Sequence, residues 1–259
     1  MLSKNKINFI LSLQKKKIRE EEKLFVIEGD KLVKEFLSAK IPVRTLMAKP
    51  EFLNSLPLVH KKGIGEIIPV SYDELKKASS LKTPHNALAI IEMPDNKMDP
   101  DDLNRGLAVA LDFIQDPGNL GTMIRAAAWF GIRNIYCSQN CVDVYNPKVI
   151  QASMGAILHV NVFYTDLHKL FKTAAENNIR IYGAMLEGES IYSCKLGDNG
   201  IILLGNESSG ISEDLIPFIT DRTTIPGTHE AGSGIDSLNV SMAASVIFSE
   251  FTRSKGRQL

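Results

Sequence analysis

Cysteine is scarce in this chain, three residues among 259. Cys137 and Cys141 stand close together, but no second Cys or His pair follows at zinc-finger spacing, so the sequence predicts no metal site. So few cysteines, and an odd number, exclude a disulfide scaffold and suit a reducing compartment such as the cytoplasm. Long apolar runs are missing as well: none reaches the roughly 18 residues of a membrane-spanning helix. The first residues, MLSKNKINFILSLQKKKIREEE, pass from a short apolar stretch into a charge cluster. They lack the extended apolar core and small-residue cleavage site of a secretory leader. Neither G-x-G-x-x-G nor G-K-[ST] occurs, which argues against a dinucleotide fold and a P-loop.

What the chain does have is apolar residues, 44% of the total, enough for one large globular domain or two small ones. Its net charge of +0 conceals an asymmetry. Residues 1–94 carry 17 Lys and Arg against 11 Asp and Glu, and the remainder carries 13 against 19. A basic half joined to an acidic half points to a polyanion bound by the first. The cluster Lys15, Lys16, Lys17 and Arg19 is the candidate contact with that polyanion, although a chance split of surface charge gives the same numbers. The stretch MPDNKMDPDDLNRG, rich in Pro, Asp and Asn, reads as a boundary. The expected organisation is therefore a domain over residues 1–94, a linker over 95–105 and a second domain over 106–259.

Before the boundary, LFVIEG, VRTLMA, EIIPV and ALAIIE read as strands. DKLVKEFLSAK reads as an amphipathic helix with Leu32, Val33, Phe36 and Leu37 on one side. SYDELKKAS opens with a capping-box pattern, Ser71 three residues ahead of Glu74. These elements make a small α/β sandwich. After the boundary, strands LAVALDFI, NIYCS, VNVFY, RIYGAM, IILLGN and TTIP are interleaved with helices NLGTMIRAAAWFG, PKVIQASMGAI, DLHKLFKTAAENN and SEDLIPFI, and a last helix begins near Leu238. Such alternation predicts an α/β domain with a parallel sheet. Ligands on such sheets bind at the carboxyl ends of the strands.

Three loops lie at those ends. In QDPGNLG, the glycines Gly118 and Gly121 permit close backbone approach, Asn119 is a candidate helix cap, and Arg125 follows within the helix. Arg125 suits a phosphate, and reads equally as a solvated helix-face charge. In LLGNESSGIS, a strand runs into Gly205, Glu207 and Gly210, where main-chain groups can meet a nucleoside edge. The plainer reading is a strand-to-helix turn capped by Ser212. In IPGTHEAGSGIDSLN, a strand ending at Pro226 leads through a Gly-rich loop to Ser237, Leu238 and Asn239. Propensity explains an Asn in a first helical turn poorly. The helix it opens carries small residues, Ser241, Ala244 and Ser245, on one side.

In this order the three loops resemble the three sequence motifs of the SpoU/TrmH family of RNA 2'-O-ribose methyltransferases, in the SPOUT superfamily. DPGNLGTMIRAAAWFG is similar to motif 1, LLGNESSGIS to motif 2, and IP followed by SLNVSMA to motif 3. The N-terminal run KKKIREEEKLFVIEGDKLVKEFL resembles the substrate-binding domain of the same family, which is similar to a ribosomal-protein fold that binds kinked RNA. The resemblance implies a C-terminal parallel-sheet domain closed by a deep trefoil knot, which connection rules alone would not suggest. It implies S-adenosyl-L-methionine as cofactor, no metal, a homodimer with motif 1 near its interface, and RNA as partner. Ribosomal RNA is favoured over transfer RNA. By position, Leu204, Gly205, Gly210, Ile225, Pro226 and Leu238 would line the cofactor pocket. Arg125, Asn119, Glu207, Ser237 and Asn239 would form the polar active-site set. Two departures stand out: Ser208 occupies a place usually held by Gly, and the loop from Pro226 to Ser237 is longer than usual. A catalytically silent RNA-binding relative is the alternative, and the presence of Arg125, Glu207 and Asn239 argues against it.

Overall fold

The computed structural model describes residues 2–95, 97–227 and 237–253, apart from the side chains of Pro100 and Asp101. The chain divides into two compact units, the first made of residues 1–95 and 143–158, the second of residues 96–142 and 159–259.

The first unit contains helices α1 (Lys4–Ser12), α2 (Lys16–Glu22), α3 (Asp30–Ser38), α4 (Pro50–Ser55), α5 (Leu58–Lys61) and α6 (Tyr72–Ala78). Its strands are β1 (Leu24–Glu28), β2 (Val43–Ala48), β3 (Ile64–Pro69) and β4 (Ala87–Glu92). The sheet order is β1-β4-β2-β3, with β4 antiparallel to both neighbours and β2 parallel to β3. Strand alternation sends Phe25, Ile27, Leu46 and Ala89 to one face, where Leu32, Val33, Phe36 and Leu37 of α3 cover them. Leu24, Met47, Leu88 and Ile90 point to the other face, against Ile10 of α1 and Leu75 of α6. The expected small α/β sandwich thus has a helical layer on each side. The capping box forms at Ser71 and Glu74. The first two helices are not legible as such: α1 gathers Phe9, Ile10 and Leu11 in one run without helical spacing, and α2 has Ile18 as its one apolar residue.

Residues 143–158 were expected in the second domain, yet they pack with the first unit. Helix α8 (Pro147–Ser153) lies against β1 and buries Ile150 in the same core as α3. Asp143 accounts for a second difference. Arg19, grouped with the lysines as an RNA contact, is only 2% exposed. Its guanidinium donates to the Asp143 carboxylate through Nε (3.0 Å) and Nη2, and to the carbonyls of Leu13 (2.8 Å) and Gln14 (2.7 Å) through Nη1. A planar five-donor group can satisfy a carboxylate and two carbonyls at once, as a lysine could not. Arg19 is therefore a structural residue. Lys16 and Lys17 stay near the surface and pair with Glu20 and Glu21 one turn on.

The second unit carries β5 (Leu107–Leu111), α7 (Pro117–Trp129), β6 (Asn134–Cys137), β7 (Asn161–Tyr164), α9 (Leu167–Glu176), β8 (Ile181–Ser190), β9 (Gly200–Leu204), β10 (Asp221–Thr224) and α10 (Val240–Thr252). Its six strands are all parallel, in the order β10-β8-β9-β5-β6-β7. Phe163, Leu170, Phe171, Ile201 and Leu203 fill the core under α9. On the opposite face α10 packs beside α7, and Phe251 meets Tyr182 edge-on at 4.8 Å. Three local expectations change. The linker is partly structured, with a 3-10 turn at Pro100–Asn104 that buries Leu103 in the second core. SEDLIPFI forms no α-helix, only a 3-10 turn at Ile216–Phe218, because Pro217 withholds a backbone donor in so short a segment. The last strand ends at Thr224, short of Pro226. The trefoil path expected from the resemblance includes residues 228–236, which lie outside the described residues, as does the additional HEAGSG stretch.

Removing Asp143 leaves the Arg19 charge buried without its partner. Asp143→Ala is expected to cost about 3–5 kcal/mol of stability, as for other broken buried pairs. Urea unfolding followed by far-ultraviolet circular dichroism measures it, and a midpoint equal to that of the parent protein would contradict the structural role of Arg19.

Candidate active site

Strand order places the site. The direction of winding reverses at β5, whose neighbours are β6 and β9. Leu111 and Leu204 are partners at the carboxyl ends of β5 and β9, so the loops after them start side by side. This is the topological switch point at which parallel sheets bind ligands.

The loop after β5 begins at Asp112, which is 5% exposed. Its backbone N–H donates to the Leu204 carbonyl (2.9 Å), and its Oδ2 accepts from the Ser212 amide (2.8 Å) and hydroxyl (2.6 Å). Ser212 is therefore not a helix cap; its hydroxyl ties the end of the second loop to the start of the first. Asn206 adds a further tie, donating from Nδ2 to the Phe113 carbonyl (2.9 Å). Its Oδ1 accepts from the amides of Ser208 (2.9 Å) and Ser209 (3.2 Å), and its backbone pairs with Gly210 in both directions. Gly210 takes a positive φ of 71°, whereas Ser208 does not. Ser208 thus occupies its place without backbone strain, and its amide takes part in the turn.

The cap of α7 is Asp116, not Asn119. Pro117 occupies the first helical position, and the Asp116 carboxylate accepts from the Asn119 amide (2.8 Å). The Asn119 side chain is thereby free for other work. Its Nδ2 donates to Oε1 of Glu207, and its Oδ1 accepts from Nδ2 of Asn239 (3.0 Å). Asn239 in turn is the cap of α10, accepting from the amides of Ser241 (3.0 Å) and Met242 (3.3 Å) and the Ser241 hydroxyl (2.6 Å). This explains the Asn that propensity did not. Three of the five candidate polar residues, one from each loop, are joined in one chain of hydrogen bonds. Ser237 is exposed two residues before Asn239.

Arg125 lies six residues beyond Asn119, about 9 Å along the helix axis. It is exposed, and among the described residues it makes no hydrogen bond or ion pair. Thr122 and Trp129 share its side of α7 at helical spacing, and Trp129 is 84% exposed. Of the candidate pocket residues, Leu204 is buried and its carbonyl accepts from the Asp112 amide. A Cβ on Gly205 would fall 2.2 Å from the Gly210 backbone, so only glycine fits. Gly210 faces open space, Ile225 and Pro226 are partly or fully exposed, and Leu238 is 50% exposed although apolar. Behind the first loop, Cys141 accepts from the Ile114 amide (3.2 Å). The hydrogen bond from Cys137 leads the contacts that hold its thiol down at about 7, and the same bond, with burial, pushes Cys137 well up.

A parallel α/β sheet with three polar loops joined at its switch point, where such sheets bind ligands, is the arrangement of an α/β enzyme. Residues 106–249 match the SpoU rRNA methylase family, and residues 4–89 match the MRM3-like substrate binding domain. The chain belongs to the SpoU rRNA methylase family. It is similar to the 23S rRNA (guanosine(2553)-2'-O)-methyltransferase RlmP of Bacillus subtilis, 27% identical over 91% of both chains. A solved structure from Porphyromonas gingivalis assigned to the TrmH family of RNA methyltransferases is 36% identical. It covers 98% of this chain and 99% of its own, with a TM-score of 0.85. An AdoMet-bound rRNA methyltransferase structure from Sinorhizobium meliloti shares the fold at 23% identity and a TM-score of 0.86, over 98% of this chain and 96% of that one.

Loss of the α7 cap should be felt locally. Asp116→Ala is expected to lower stability by about 1 kcal/mol, the usual worth of a side-chain cap. Thermal unfolding of the two proteins side by side checks it, and an unchanged midpoint would contradict the capping role of Asp116.

Proposed function

We propose that this chain transfers the methyl group of S-adenosyl-L-methionine to a ribose 2'-hydroxyl of ribosomal RNA. Family membership makes it an RNA methylase. The single observation that carries the finer reading is the hydrogen-bonded chain Glu207–Asn119–Asn239, with Arg125 six residues further along α7 and, among the described residues, without a hydrogen bond or ion pair. The residues present suit the cofactor: exposed Leu238 and Pro226 and half-buried Ile225 offer apolar surface, and Gly210 permits close approach by a flat base. When bound, the sulfonium supplies an electrophilic methyl group. The ribose 2'-hydroxyl oxygen would take that methyl group and pass its proton to solvent water, the sulfur keeping the electron pair of the broken S–CH3 bond.

The protein's part is alignment and charge. Arg125 is not the base, because a guanidinium is not deprotonated in proteins. It holds a nucleotide phosphate and stabilises negative charge growing on the hydroxyl oxygen. The Asn119 amide, itself held by Asn239, fixes the Glu207 carboxylate in one orientation. The first unit, with its excess of Lys and Arg and its match to a substrate-binding domain, recruits the RNA by phosphate contacts, Lys15, Lys16 and Lys17 among them. Ribosomal RNA is favoured because the full-length relative RlmP bears that substrate in its name. The three free cysteines suit action in the cytoplasm.

The functional form is a homodimer. Trp129 could have belonged to the chain's own core; instead it is exposed on α7, and Met242 on the neighbouring α10 is 62% exposed. Large apolar side chains of this kind anchor interfaces. Light scattering at micromolar concentration should give twice the chain mass, and Trp129→Glu should give the chain mass. A parent protein that is monomeric would remove the dimer.

Arg125→Ala should leave fold and cofactor affinity nearly unchanged and lower the methylation rate by about 10²-fold or more, as for a lost transition-state donor. Arg125→Lys should not restore it, since one ammonium lacks the planar two-point grip. Single-turnover transfer from tritiated S-adenosylmethionine to ribosomal RNA of a strain lacking the gene decides both points. A near-normal rate in the mutant reduces Arg125 to a surface charge, and no transfer by the parent protein refutes the substrate.

A further inference from the structure

Among the described residues, five non-glycine residues have positive φ: Lys23, Lys40, Phe113, Met154 and Asn178. Four of them cap or directly follow the C-terminal ends of helices α2, α3, α8 and α9, where a left-handed residue is the ordinary way to stop a helix. Phe113 is different. It follows a strand, and a bulky aromatic residue at φ 58° carries a steric penalty that nothing in the local sequence relieves. Strain of this kind persists only where the surroundings over-determine it.

The surroundings of Phe113 do so from two directions. Its amide donates to the Ser138 hydroxyl (2.9 Å), beyond the end of β6, and its carbonyl accepts from Asn206 Nδ2 (2.9 Å), beyond the end of β9. The next residue is held as well, the Ile114 amide by Cys141 Sγ (3.2 Å) and its carbonyl by the Val142 amide (2.8 Å). Three residues on from Phe113 is the α7 cap, Asp116, and three beyond that is Asn119. On the other side, the residue after Asn206 is Glu207, the partner of Asn119. One amide side chain therefore fixes the strained turn and stands next to the carboxylate that the turn must meet.

We propose that Asn206, with Ser138 opposite it, is a positioning residue for methyl transfer: it clamps Phe113 in the left-handed conformation and so sets Asn119 against Glu207. The inference rests on the function proposed above. The clamp does not touch the reacting atoms. It shifts the population of loop conformers toward the one in which the two loops meet, and that population scales the rate.

Asn206→Asp isolates this effect. The carboxylate keeps acceptor oxygens for the Ser208 and Ser209 amides, so the second turn survives, but it sets an oxygen instead of a donor against the Phe113 carbonyl. The single-turnover rate should fall about tenfold, equivalent to about 1.4 kcal/mol. Adding Phe113→Gly to Asn206→Asp should then restore the rate by severalfold, because glycine adopts positive φ without penalty. Adding Phe113→Ala should not, because it removes the ring but keeps the Cβ. Equal rates in the Gly and Ala double variants would overturn the clamp, as would an Asn206→Asp protein of parental rate. Hydrogen exchange at residues 112–119 makes the same comparison without turnover. Exchange should accelerate in Asn206→Asp and slow again only with glycine at 113. Inactivity of the parent protein toward ribosomal RNA would count against the proposed function alone, since the exchange comparison still judges the clamp.

Discussion

The pairing of β5 with β9 sets the whole site. Parallel strands that are neighbours in space but distant in sequence bring two loops to one edge, and their last paired residues, Leu111 and Leu204, fix the level at which those loops start. The ladder continues for one more bond through the Asp112 amide, after which side chains take over. Asp112 holds Ser212, Asn206 holds Phe113, and Asn119 holds Glu207. Each of these ties joins the first loop to the second. A buried Asp with a single serine as its partner is tolerable here because both bonds to that serine reach one carboxylate oxygen and satisfy it. The third loop arrives by another route: β10 lies two strands away from β9, and it is the packing of α10 on α7 that carries Asn239 to Asn119.

The parts of this arrangement that were legible in the sequence are those where local and tertiary forces agree. Continuous apolar runs such as LAVAL and GIILL are too short for a buried helix and read as buried strands, and α3 announces its core face with four apolar residues at helical spacing. The caps were half legible. Pro117 already fixes the first helical position, so the residue before it, Asp116, is where the cap must be. Asn119 was assigned that role because its residue type suits a cap as well as a polar site. At Asn239 the reverse holds: a residue that propensity explains poorly in a first helical turn is the cap of α10 and the partner of Asn119 together. What no local pattern reveals is partnership. Asp112, Ser138 and Asn206 are ordinary turn residues in sequence, and their roles appear only when 25 to 100 residues of chain have been folded between them and their partners.

Arg19 illustrates the same limit for charge. Four cations in five residues form a basic cluster by composition, yet one of the four faces inward. The reason is 124 residues away, in Asp143, on a segment that the sequence pattern assigns to the other half of the chain. The strand β1 presents more apolar surface than the helices of the first 95 residues cover, and α8 completes that layer with Ile150. The boundary between the units is therefore not a single point. Composition detected the one crossing rich in Pro and Asp, and not the two near residues 143 and 158, where the chain changes units within ordered structure.

The placement of strain separates structural turns from the site. Left-handed residues at helix ends cost little, because the freed carbonyls there gain partners by the same rotation. Phe113 has no such return, and every backbone hydrogen bond that holds it is supplied by a side chain from another strand end. The second loop behaves in the opposite way. Its one left-handed position is a glycine, and Ser208, where the family usually has glycine, keeps an unstrained backbone. The second loop is thus relaxed by itself and can act as the fixed side against which the first is held. A strained loop braced by a relaxed one has a single low-energy arrangement, and that uniqueness is what an in-line transfer between two bound molecules requires of the protein.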